Sequence, residues 1–164
     1  MFSPLLESII ERENWPVLTD KTVDDFINTN GETVLFISGN AKRFPESNDV
    51  AVILPEIIKA TRGRLKAAVI ATDSEREIQK RFHFNKFPAL IFNRDGGYLG
   101  VIPKVLDWAD YMRAIPEMLN REVSEIPGFK MPEGCRDEVA KAISAKKKNI
   151  EKDTLGIHAE PTDY

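Results

Sequence analysis

The chain is poor in cysteine: Cys135 is the single one among 164 residues. One sulfur excludes an intrachain disulfide, a CxxC redox pair and a cysteine-rich zinc site. Histidine is nearly as scarce, with only His83 and His158, which argues against a histidine-built metal centre. No apolar run approaches the roughly 18 residues needed to span a bilayer. The N-terminal stretch has no basic region, and Glu7 and Glu11 interrupt its apolar residues, so it does not read as a signal peptide. A basic excess is also missing: 23 Lys and Arg stand against 26 Asp and Glu, a formal charge of −3. That balance argues against a general nucleic-acid binder. The expected compartment is the cytoplasm, with no membrane insertion, no metal and no cofactor.

What is present suits one packed domain. Hydrophobic residues make up 42% and charged residues 30% of the chain, ordinary values for a globular fold. Leu5, Leu6, Ile9 and Ile10 recur at helical spacing and predict an amphipathic helix over 4–13, ended by Trp15-Pro16. A second short helix follows Asp20 or Thr22 as its cap, and Asn30-Gly31 stops it. The continuous apolar run 33–37 predicts a strand buried on both faces. A polar loop leads to a helix near 49–62 that carries Pro55 inside it, where proline removes a hydrogen bond and kinks the axis. A strand over 65–71, a helix over 75–82 capped by Asp73 or Ser74, and a strand over 87–92 come next. Asp95-Gly96-Gly97 is a hairpin signal. The chain returns through 98–102 into a helix near 106–120, with Leu106, Trp108, Ala109, Met112, Ile115 and Leu119 expected inward. Residues 126–134 read as a linker, and the remainder as a polar tail. We therefore expect a domain over 1–121 and an extension over 122–164. The order βαβ, then hairpin and helix, predicts an α/β sandwich around a mixed sheet.

That order is similar to a thioredoxin. The resemblance rests on Phe87-Pro88 introducing the strand before the hairpin, on Asp95-Gly96-Gly97 in the turn, and on Pro55 in the preceding long helix. It implies a thioredoxin-like three-layer sandwich with a central mixed β-sheet and a cis peptide at Pro88. It also places the family's CxxC on Ser47-Asn48-Asp49-Val50, where both sulfurs are missing. The family's buried carboxylate on the preceding strand has no counterpart in Leu35-Phe36-Ile37. Thiol–disulfide exchange needs a thiolate, so that chemistry is excluded at its usual place.

A narrower resemblance covers residues 15–120. Lys42-Arg43-Phe44-Pro45-Glu46 with Asp49, then Arg81-Phe82, Lys86-Phe87-Pro88-Ala89, Gly96-Gly97-Tyr98-Leu99-Gly100-Val101 and Trp108-Ala109 resemble the HyaE/HupG/HoxO-type hydrogenase maturation proteins. The resemblance implies a non-redox, thioredoxin-like assembly chaperone. Its implied partner is the small-subunit precursor of a NiFe-hydrogenase, held by its twin-arginine signal peptide before export. Other maturation proteins are further candidate partners, and a homodimer is among the assemblies the sequence allows.

The candidate partner-binding residues are Glu46, Asp49, Phe87 and Pro88. A cis-proline leaves neighbouring backbone groups ready to pair with an extended peptide; Phe87 and Pro88 could equally just set the strand entry and pack the core. Glu46 and Asp49 offer an acidic lip for arginines, while Asp49 alone reads first as the cap of the next helix. Lys42 and Arg43 dilute that acidic field. Acidic and basic side chains balance across 15–119. Cys135 motivates one alternative, a single-cysteine thiol redox protein; an oligomer scaffold is the other.

Overall fold

The computed structural model of the chain describes residues 2–127. The chain divides into two units, Met1–Phe129 and Lys130–Tyr164. Cys135 and His158 of the sequence reading lie outside the described residues.

Helix α1 (Pro4–Glu13) starts at Ser3, whose hydroxyl accepts the Leu6 N–H, and ends at Asn14 in the left-handed conformation. This is capping by residue type at both ends. Strand β1 (Val17–Leu18) and helix α2 (Val23–Thr29) follow. Strand β2 (Glu32–Ile37) leads through a loop to α3 (Ser47–Ala60), then β3 (Lys66–Ile70), a 3-10 turn (Thr72–Ser74) and α4 (Glu75–Phe82). Strands β4 (Ala89–Arg94) and β5 (Gly97–Ile102) form the hairpin, and α5 (Trp108–Leu119) closes the order.

The five strands run in the order β1-β3-β2-β4-β5. β3 is parallel to β1 and β2, whereas β4 is antiparallel to β2, and β5 to β4, so the sheet is mixed. Asp95 and Gly96 both have positive φ, at 50° and 85°, the backbone that a tight two-residue hairpin demands. Successive side chains of β2 point to opposite faces. Val34 and Phe36 therefore meet α1, α3 and α5 through Leu6, Leu54, Ile57, Tyr111 and Ile115. Leu35 and Ile37 meet α2 and α4 through Ile27, Ile78 and Phe82. The apolar run is buried on both faces because helices cover both, the thioredoxin-like three-layer arrangement.

Four local expectations change. β1 escapes the pattern reading because two residues carry no period; it exists because Val17 and Leu18 pair with Val69 and Ile70. Asp49 is not the cap of α3: the helix begins at Ser47, which leaves Glu46 at the cap position and Asp49 inside the first turn. The proposed side-chain caps of α2 and α4 make no capping hydrogen bond; Ser74 instead donates to Asp20 at 3.1 Å.

Trp108 and Ala109 point outward, and Tyr111 takes the inward place. Met118 packs over Gly100. Trp108 lies ten residues before it, about 15 Å along a helix, whereas β5 runs only about 7 Å from Gly100 to its end. Trp108, in the first turn of α5, is accordingly 46% exposed. Residues 122–127 still pack on the sheet, where the Ser124 N–H meets the Tyr98 carbonyl at 3.0 Å and Ile126 joins the core. No helix among the described residues is long and apolar enough to cross a membrane.

Candidate functional site

Register brings the site together. Ile37 pairs with Ala89, and Leu90 with Ile102. The loop leaving β2, the residues entering β4 and those leaving β5 therefore share one end of the sheet. The Phe87–Pro88 peptide is cis, as the resemblance implied. Phe87 packs at a tilt against Phe44, 5.4 Å from ring centre to ring centre, and edge-on to Phe84 at 5.7 Å. Gly39 makes this possible: its φ is +71°, and a Cβ there would come within 2.8 Å of Phe87 Cβ and 2.9 Å of Phe44. Only glycine meets both demands without strain.

A groove of about 440 Å³ opens here, with Phe44, Phe87, Pro88, Pro103 and Val105 as its apolar surface. Arg43, Glu46, Lys86 and Lys104 supply its charges. The groove thus unites three of the four expected residues, Glu46, Phe87 and Pro88. Asp49 does not line it, although it stands one helical turn from Glu46, with side chains about 5–6 Å apart at their bases. Ser47, where the thioredoxin resemblance places a cysteine, is 3% exposed. Its neighbour Asn48 accepts the Ser3 hydroxyl at 2.7 Å.

The charges at the groove were only half visible in the sequence. Lys86 adjoins Phe87, but Lys104 joins it through the hairpin register, which the Asp95-Gly96 turn would have allowed one to infer. The acidic lip is correspondingly reshaped: one carboxylate faces three cations. Arg43 lies over the Phe44 ring, 5.5 Å from its centre. Among the described residues, none of these four groups has an ion-pair partner within 4.0 Å.

Across the same loop lies a second cavity, of about 670 Å³, lined by Ser3, Pro4, Asn40, Lys42, Thr72 and Glu75, among others. The Glu75 carboxylate accepts the Gly39 N–H at 2.9 Å. Burial pushes its pKa up, and the hydrogen bonds of Gly39 and Ser38 pull it partly back. At the end of β2, Leu35, Phe36 and Ile37 are wholly buried and apolar. A carboxylate nevertheless reaches the end of that strand, from α4. No sequence spacing pointed to Glu75; the crossover geometry puts it there. Among the described residues no cluster of His, Cys, Asp and Glu could hold a metal ion.

The family model described as Hydrogenase-1 expression protein HyaE matches residues 5–111. The chain belongs to the HyaE family. Its curated relatives include the hydrogenase expression/formation protein HoxO of Azotobacter vinelandii, 39% identical over 77% of this chain and 85% of that one. HupG of Rhizobium leguminosarum bv. viciae, also a hydrogenase expression/formation protein, is 35% identical over 75% of this chain and 85% of its own. A chain from the structural work on yeast mitochondrial 1-Cys peroxiredoxin and the glutathione/thioredoxin systems superposes with a TM-score of 0.54. It covers 64% of this chain and 96% of that one at 18% identity, a likeness of fold alone. This HyaE-family chain thus keeps a thioredoxin-like scaffold and the Phe87-Pro88 entry to β4 without the sulfur pair.

Proposed function

We propose that the protein is a non-enzymatic assembly chaperone in NiFe-hydrogenase maturation, acting in the cytoplasm on the small-subunit precursor. The observation that carries this reading is the convergence of Glu46, Phe87 and Pro88 on one groove, beside the segment 47–50 on which the resemblance puts a redox pair and where this chain has no sulfur. The family membership supports the hydrogenase context.

The groove's apolar surface suits the uncharged stretch that follows the basic start of a signal peptide. The arginine pair of a twin-arginine signal fits only the Glu46 side, with Asp49 one turn farther along α3, because Lys86 and Lys104 repel it elsewhere. Charge-assisted contacts of arginine with these carboxylates would set the direction of the bound segment.

Pull-down of the precursor with and without its signal peptide tests the reading. Full recovery of the precursor and loss on removing the signal are expected, with Glu46→Lys lowering recovery about tenfold, the effect of roughly one strong charge-assisted hydrogen bond. Failure to recover the precursor under any condition would overturn it.

A further inference from the structure

Three cations reach the groove from three separate segments: Arg43 from the loop after β2, Lys86 from the run into β4, and Lys104 from the run out of β5. Convergence from distant parts of the chain is not a local charge run. Elsewhere in the described structure basic side chains are commonly satisfied: Arg64 and Arg94 hold Glu32, Arg81 holds Asp24, and Arg121 holds Glu117. Among the described residues, all three groove cations lack an ion pair, and Glu46 is the one carboxylate lining the groove beside them. Like charges gathered at one cleft repel one another in the free protein and attract an acidic ligand.

The apolar surface between them needs a different complement. Phe44, Phe87, Pro88, Pro103 and Val105 offer no charge to a ligand, so its central side chains must be apolar. We infer that the groove takes an extended partner segment with an apolar centre and an acidic residue that lies over Lys86 and Lys104. This deepens the docking assignment above and rests on it. Glu46 and Asp49 take the basic end of the segment, and the lysine pair across the groove takes an acidic end. The occupant is therefore electrically polarised along its length.

The probes are dye-labelled peptides with a constant lysine at one end, one leucine–valine centre and a flank of glutamate, glutamine or lysine at the other end, titrated against the full chain by fluorescence anisotropy. The glutamate-flanked peptide is expected to bind about tenfold more tightly than the glutamine-flanked one at low salt, as two exposed ion pairs allow. Lysine flanks should bind most weakly, and added salt should compress the differences. The exposed pair Lys86→Glu with Lys104→Glu should invert the order of glutamate and lysine flanks, with circular dichroism confirming an intact fold. Equal affinity for all three peptides, or a preference for lysine flanks, overturns this inference and leaves the groove as a docking face. Binding of none of them, when the precursor is still recovered in the pull-down, overturns both this inference and the groove as the docking face.

Discussion

The two ends of β2 treat charge in opposite ways. At its start, Glu32 accepts from Arg64 through Nε and, at 2.9 Å, Nη2. It also accepts from Arg94 at 3.2 and 3.3 Å. Arg94 then donates to the Leu119 carbonyl and, at 2.8 Å, to that of Arg121. One carboxylate and two guanidiniums tie β2, β4, the turn before β3 and the end of α5, where helix carbonyls otherwise lack donors. At the far end, Glu75 meets a backbone N–H but no lysine or arginine side chain, and the groove cations stand unpaired among the described residues. The pKa values follow. Burial alone would raise that of Glu32, yet the hydrogen bonds and charges of Arg64 and Arg94 outweigh it and hold it below the ordinary value. Burial wins at Glu75, which is raised. One end pairs its charges across the fold; the other keeps its charges without an ion pair among the described residues.

The largest effect expected from breaking this contrast lies at Gly39. Gly39→Ala adds a Cβ into Phe87 and Phe44 at a positive φ and should cost about 2–3 kcal/mol in urea unfolding. A loss below about 0.5 kcal/mol would show that the aromatic stack yields freely.

Glu32→Gln comes next, at about 1–2 kcal/mol, since the carboxylate is 13% exposed but Arg64 is half exposed. The pH dependence has a definite sign. A lowered native pKa contributes stability above the unfolded carboxylate value, and that stability fades as pH falls through the native one. The gap between wild type and variant should therefore close in acid.

Glu75→Gln should act in the opposite direction. A raised native pKa contributes stability below the unfolded value and loses it as pH rises through the native one. At neutral pH the ionised Glu75 is a cost, and glutamine keeps an acceptor for Gly39. A gain of about 0.5–1 kcal/mol is expected, measured as a higher urea midpoint at neutral pH and no gain near pH 4. A loss at neutral pH would mean that the negative charge itself holds the loop.

The smallest effect belongs to Thr33, next to Glu32 in β2. Thr33 Oγ1 is buried without a hydrogen-bond partner, opposite Asn93 in the β2–β4 register, whose amide atoms are equally unpartnered. Thr33→Val should be neutral or stabilising by about 0.5 kcal/mol, because no hydrogen bond is lost and a hydroxyl is no longer buried. Thermal melts that fall by several degrees would contradict this.

Much of the architecture was legible before any coordinates. The strand in 33–37, the helix at Glu75–Phe82, the Asp95-Gly96 turn and the Phe87-Pro88 entry all reflect short-range properties. Apolar periodicity reports which faces are covered, and turn chemistry reports where the chain reverses. Trp108 misled the reading because periodicity tells which face of a helix a residue shares but not whether that face is covered at the helix end. Asp49 misled it because one cap residue looks much like the next until the first helical turn is seen.

Residue type and order along the chain are enough for the mixed α/β layering, the absent sulfur pair and the family. Which charges meet is settled by the assembled fold. Lys86 and Lys104 share a groove because the hairpin register places 86–88 beside 103–105, and Glu75 reaches Gly39 because the crossover from β3 returns α4 to the end of β2. Charge pairing depends on distances between segments far apart in the chain, and those distances exist only once the sheet has assembled.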